Sequence, residues 1–344
     1  MKKLILVISI FFVLTACSLN KSISQSTISS SSNLNLQVNE YLPLFAYVIT
    51  EKGNKIMLVN DCHINPFNNT LDRVALNINL ATFELIERLI IEKGRIIIGT
   101  EGALYPQEIS LSDIKKIYSL EPSFSFEEIT TFYSKKGLVN SFKNASMAAK
   151  ILYPEKIKII GYEDSLSFEK ALTIIYSLEK MVVRRDSLIN LGIKNKEIKR
   201  VSDEKLKRRN IFWRTKTVKE LNDLNNEINQ TLSKKGNNPL LSNRGYLGIK
   251  NFENYINSVN KDGIFIMGTL HSEEIVEGLL SLEEDLKIFI IERTKKDFSD
   301  PLLSLQGSSE EKENLKMYKD IYLSSIEKIK KKYKNEDKIV FIKP

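Results

Sequence analysis

The chain has 344 residues, with 51 Lys and Arg against 43 Asp and Glu for a formal charge of +8, which is room for one large domain or two modest ones. Its 42% apolar and 27% charged residues, with 14 Gly and 8 Pro, exclude a disordered or collagen-like chain, and two cysteines exclude a disulfide-stapled scaffold. The scarcest residue is the most informative: there are only two histidines, His63 and His271.

Residues 1–16 read as a signal peptide. Lys2 and Lys3 supply a positive start, residues 4–14 an apolar stretch too short for a permanent span, and Leu14-Thr15-Ala16-Cys17 follows. That tetrapeptide resembles a bacterial lipobox. The resemblance implies cleavage before Cys17, acylation of its thiol, and an exported chain held by acyl groups on the cell membrane or outer membrane. Residues 17–40 form a tether, with seven serines between positions 22 and 32, a composition that buries no apolar surface. Folded structure is expected over 41–344, as a single domain with a helical insertion at about 165–260.

From there apolar runs alternate with helical patterns, the signature of an α/β fold with a mostly parallel sheet flanked by helices. Ile56-Met57-Leu58-Val59 predicts a strand. Leu85, Ile86, Leu89 and Ile90 recur at helical spacing and predict a helix over about 73–93. Residues 95–99 predict a strand, 111–152 helical segments broken near Pro122 and Gly137, and 158–161 a third strand. A long, charged helical stretch over about 168–232 ends in the breaker Gly236-Asn237-Asn238-Pro239. A helix at about 246–259, a strand over 263–268, a helix starting near Glu273, a strand over 286–291, a Lys-rich helix over about 310–334 and a strand over 339–342 complete the chain.

Polar residues fall where such a sheet can use them. In open parallel sheets the ligand crevice lies beyond the carboxyl ends of the strands. Here Val59 is followed by Asn60-Asp61-Cys62-His63, Gly99 by Thr100-Glu101-Gly102, Gly161 by Tyr162-Glu163-Asp164, and Gly268 by Thr269-Leu270-His271. Both histidines thus sit directly after strands. Two imidazoles and two carboxylates, His63, His271, Glu101 and Glu163 or Asp164, suit either a divalent metal site or a metal-free acid/base pair in which a carboxylate orients an imidazole. His63, Glu101 and His271 are the metal-ligating candidates. No His-Glu-x-x-His or Cys-x-x-Cys is present, so any metal site is assembled by the fold. Neighbouring strand residues face opposite ways, so Cys62 reads as a small apolar thiol rather than a partner of His63.

These motifs, with an Arg-Asn pair on a helix and Gly268-Thr269-Leu270-His271 as Gly-x-x-His, resemble the erythromycin esterase, ChaN and TraB/Tiki superfamily over roughly residues 56–292. Asn60 stands where that pattern usually has Gly. The resemblance implies a cleft lined by His63, Glu101, Glu163 and His271, with Asn210 as a ligand-binding candidate; Asp61 and Asp164, beside them after the apolar runs, are two more. By the same resemblance Arg209 would reach in beside Asn210 and stabilise developing negative charge. Its members include hydrolases of macrolide lactones, metal-dependent proteases and haem-binding lipoproteins, so fold kinship does not select the reaction.

Residues 184–219 hold thirteen Lys or Arg against four Asp or Glu. In an exported chain this reads as a solvated helix face near anionic lipid, not a nucleic-acid surface. The expectation is a lipid-anchored hydrolase of esters, lactones or amides acting on a small molecule or peptide. A divalent metal is the first cofactor candidate and haem the second. The alternatives are a haem- or iron-binding lipoprotein and a structural lipoprotein without chemistry.

Overall fold

The computed structural model describes residues 43–61, 73–117, 144–194, 216–233, 243–282, 285–298 and 309–344. These form two compact units, one from the described residues of Met1–Ser165 and Arg244–Pro344, the other from those of Leu166–Asn243. The helical insertion therefore ends at Asn243 rather than near 260, and the helix after it belongs to the first unit.

The first unit is built on a mixed sheet. Its strands are β1 (Leu44–Ile49), β2 (Lys55–Asp61), β3 (Ile96–Leu104), β4 (Glu108–Ile109), β5 (Ile157–Glu163), β6 (Gly263–Gly268), β7 (Lys287–Ile291) and β8 (Ile339–Ile342). They lie in the order β4-β5-β3-β6-β2-β1-β7-β8. The four central strands, β5, β3, β6 and β2, are mutually parallel, while β1 pairs antiparallel with both β2 and β7. The expected α/β architecture is present; β1 and β4 are strands that the apolar runs do not announce.

Both faces of the sheet are covered, which is why the central strands are apolar without alternation. The helices of this unit are α1 (Arg73–Lys93), α2 (Leu111–Ile117), α3 (Ala145–Leu152), α6 (Arg244–Val259), α7 (Ser272–Leu280) and α8 (Ser309–Tyr333), where α4 and α5 are the helices of the second unit, Ser165–Lys194 and Lys216–Ser233. Met57, Val59, Ile96, Ile98, Ile264 and Ile266 pack with Leu85, Ile86, Leu89 and Ile90 of α1 and with α3. The alternate residues Ile56, Leu58, Ile97 and Phe265 pack with Phe252 of α6, Val276 of α7 and Tyr322 of α8. The period-2 strand geometry thus feeds two cores, one on each face. In the second unit, Leu178 of α4 packs with Leu224 and Ile228 of α5. Among the described residues no helix is long and apolar enough to cross a membrane.

The carboxyl ends of the central strands are shaped by a bulge. β3 runs in register with β5 from Ile96 to Thr100, then slips, so that Leu104 faces Glu163. The slip places Gly102 at φ +89, a left-handed conformation that costs Gly little and other residues more. It also lays the Ala103 and Leu104 backbone against Gly161, where an added Cβ would lie 2.6 Å from their atoms. Gly161→Ala is accordingly expected to cost about 1–3 kcal/mol through overpacking. A urea midpoint equal to wild type would show that the bulge is not held there.

Candidate functional site

The site lies where β2, β3, β5 and β6 end, and its centre is Arg244, the first residue of α6. Helix α6 lies close on β5 and β6: Gly248 has no space for a Cβ against Tyr162, and Asn251 Nδ2 donates to the Tyr162 carbonyl at 3.0 Å. This docking carries Arg244 to the end of β5. There its Nε donates to Glu163 Oε2 at 3.1 Å and its Nη2 to Glu163 Oε1, a two-point contact suited to the planar guanidinium. The same Nη2 lies 2.8 Å from Glu101 Oε1 of β3. Glu163 Oε1 also accepts from Gly102 N at 3.3 Å.

One cation between two carboxylates is an unusual thing to bury. The side chain of Glu163 is 0% exposed, that of Arg244 8% and that of Glu101 18%, so Glu101 is the member that reaches outward. Burial pushes the Glu163 carboxyl above its ordinary range; Arg244 opposes this and Glu101 reinforces it. For Arg244, burial disfavours the charge, but Glu101 and Glu163 outweigh it and hold the guanidinium protonated, above its ordinary value. Behind them Tyr162 is fully buried, and burial, with Glu101 and Glu163 adding, raises its phenol well above the usual value. It therefore acts as a donor, to the Ile266 carbonyl at 2.7 Å.

His271 sits on the other side of the start of α6. Gly268 ends β6, a turn of 3₁₀ helix covers Thr269–His271, and α7 follows directly. Thr269 and His271 are buried while Leu270 between them is exposed. His271 Nδ1 lies 3.0 Å from Glu274 Oε2, and the same oxygen accepts from Gly245 N at 3.0 Å. Gly245 follows Arg244, so one backbone step links the carboxylate clamp to the imidazole. Asp61 and Gly268 are in register across β2 and β6. The Asp61 carbonyl accepts from Thr269 Oγ1 at 3.1 Å, and its Oδ1 from Asn79 Nδ2 at 3.3 Å. Ser272 Oγ is 2.9 Å from Asn60 Oδ1; Asn60 Nδ2 is buried without a hydrogen-bond partner among the described residues.

Of the residues singled out in the sequence, Glu101, Glu163, His271 and Asp61 stand at these strand ends. Glu163, not Asp164, enters the clamp; Asp164 is half-buried beyond the strand. The carboxylate that meets His271 is Glu274, and Glu101 and Glu163 are turned to Arg244 instead. His63, Cys62, Arg209, Asn210 and Cys17 lie outside the described residues. Among the described residues, no group of three or more His, Cys, Asp or Glu is placed to hold a metal. The positive charge facing Glu101, the one carboxylate among the metal-ligating candidates, is the guanidinium of Arg244. No family model, curated protein or solved structure matches this chain.

Sequence reasoning missed Arg244 and Glu274. A basic residue at the start of a helix opposes the helix dipole, and that misplacement was the available signal for Arg244. For Glu274 it was His and Glu three apart at a helix start, one above the other on the same face.

The raised Glu163 has a linked effect on stability. In the unfolded chain Glu loses its proton near pH 4.3, in the folded chain only at higher pH. Between the two values the folded state binds more protons, so stability falls as pH rises through that window. Relative to Glu163→Gln, which cannot ionise, wild type is expected to lose stability as pH increases above about 4. Urea titrations across pH check this, and a gain instead would mean that Arg244 outweighs burial.

Proposed function

We propose that this chain is an exported, lipid-anchored hydrolase of ester, lactone or amide bonds, working at the carboxyl ends of β2, β3, β5 and β6. The observation that carries the reading is Arg244 buried between Glu101 and Glu163. Desolvating three charged groups is costly, and apolar residues of similar volume fill such a place at least as stably. A clamp of this kind at a parallel-sheet crevice, beside a buried histidine, is therefore better accounted for by chemistry than by folding.

In this reading His271 takes the proton from a water as it attacks the carbonyl carbon. The carbonyl π-bond opens to a tetrahedral oxyanion. Its collapse reforms the carbonyl and breaks the bond to the leaving oxygen or nitrogen, which takes the proton back from His271 as it departs as an alcohol or amine. Arg244 holds Glu101 and Glu163 in place at the strand ends, and the mostly buried surroundings strengthen each electrostatic contact. No step runs through a metal, because Arg244 already faces the two strand-end carboxylates. Acylated Cys17 and the serine-rich tether hold the domain at a membrane, where an exported hydrolase meets substrates arriving from outside.

Turnover of a panel of chromogenic esters, lactones and peptide amides by the membrane-bound chain tests this. His271→Ala is expected to lower kcat by roughly 10²- to 10⁴-fold, the usual worth of a positioned acid/base group, with the far-UV spectrum unchanged. Cys17→Ser is expected to move the activity to the soluble fraction. A chain that turns over none of these substrates, and purifies with a strong visible haem absorption, would overturn the reading in favour of a haem-binding lipoprotein.

A further inference from the structure

Glu274 Oε2 is shared: it lies 3.0 Å from His271 Nδ1 and accepts from Gly245 N at 3.0 Å. The backbone donor fixes which oxygen is presented to the ring. An ionised carboxylate only accepts hydrogen bonds, so a neutral His271 ring must carry its proton on Nδ1, leaving the lone pair on Nε2. Space around this contact is tight. A Cβ added at Gly245 would lie 3.0 Å from the Cβ atoms of both His271 and Glu274, so glycine there lets α6 come close enough for its N–H to reach the carboxylate. His271 itself is only 4% exposed, so little bulk water competes with Glu274 for Nδ1.

From this geometry we infer that Glu274 is the positioning residue of the site: it fixes His271 in the Nδ1-protonated tautomer, with Nε2 as the basic nitrogen. The inference deepens the hydrolase reading, since it concerns the same histidine, and it specifies which nitrogen abstracts the proton. It also explains why the clamp and the histidine are adjacent. Arg244 is tied to Glu101 and Glu163, Gly245 is tied to Glu274, and Glu274 is tied to His271, so the register of α6 on the sheet sets the ring orientation.

The tautomer is read directly by ¹⁵N imidazole spectroscopy on the full chain in detergent, above the pH at which the ring is charged. With two histidines in the chain, a His63→Ala sample assigns the remaining signal to His271. Wild type is expected to show a protonated Nδ1 and an unprotonated Nε2. Glu274→Ala, which removes the acceptor, is expected to give a mixture of tautomers, with kcat lowered about 10- to 100-fold, the range seen when a carboxylate that orients a catalytic or ligating histidine is lost. Glu274→Gln is expected to restore the wild-type tautomer, because Gly245 N still holds the amide oxygen toward the ring. A merely structural role would lower stability without moving the tautomer. A wild-type ring protonated on Nε2, or a Glu274→Ala ring unchanged from wild type, would overturn the inference. Absence of turnover in every sample, with the tautomer pattern as expected, would count against the hydrolase reading while leaving Glu274 as the residue that orients His271.

Discussion

A single guanidinium held between two carboxylates organises the carboxyl ends of the central strands. Arg244 can reach Glu101 and Glu163 together only because β3 and β5 are parallel neighbours in the sheet and end at the same level. The bulge in β3 brings Gly102 N onto the Glu163 carboxylate, and the bare Cα of Gly161 leaves room for the bulged backbone. Sheet order, strand register and helix docking are all needed to bring the three charges together. Each group desolvated there loses hydration that pairing returns only in part, so removal of any one partner leaves the others exposed to the full cost of burial.

The clamp is also the anchor for the rest of the site. Its arginine opens α6, and the next residue donates its backbone N–H to Glu274. On the other flank Thr269 and Ser272 tie the turn after β6 to Asp61 and Asn60 at the end of β2. His271 sits between these two attachments. A histidine at the start of a nine-residue helix would otherwise be free to follow the fraying of the helix end; here it is bracketed by bonds from its neighbours to β2 and to a second helix.

Much of the fold was legible because apolar periodicity reports burial. The run Ile56-Met57-Leu58-Val59 and the 263–268 segment have the uninterrupted apolar character of strands covered on both faces, and α1 carries its core face at Leu85, Ile86, Leu89 and Ile90. The short β4 has too few residues to show a period. β1 was not distinguished because its apolar run follows directly on the end of the tether. At the site, Glu101, Glu163 and His271 were legible from their places just past the apolar runs, although β3 and β5 themselves continue through Glu101 and Glu163. Arg244 was not, because it precedes its helix's periodic stretch and its partners lie 81 residues or more away in sequence. The partner of His271 was local, three residues on, yet carboxylates elsewhere competed for that role until the sheet order assigned them to Arg244.

The central claim is that the clamp exists for function and not for stability. It is tested most directly by replacing all three members with apolar residues of similar volume, Glu101→Leu, Glu163→Leu and Arg244→Met, and measuring the urea midpoint alongside turnover. The account predicts a folded protein about as stable as wild type, or more so, with its hydrolytic activity abolished. A triple variant that is much less stable, or one that keeps wild-type turnover, would contradict it.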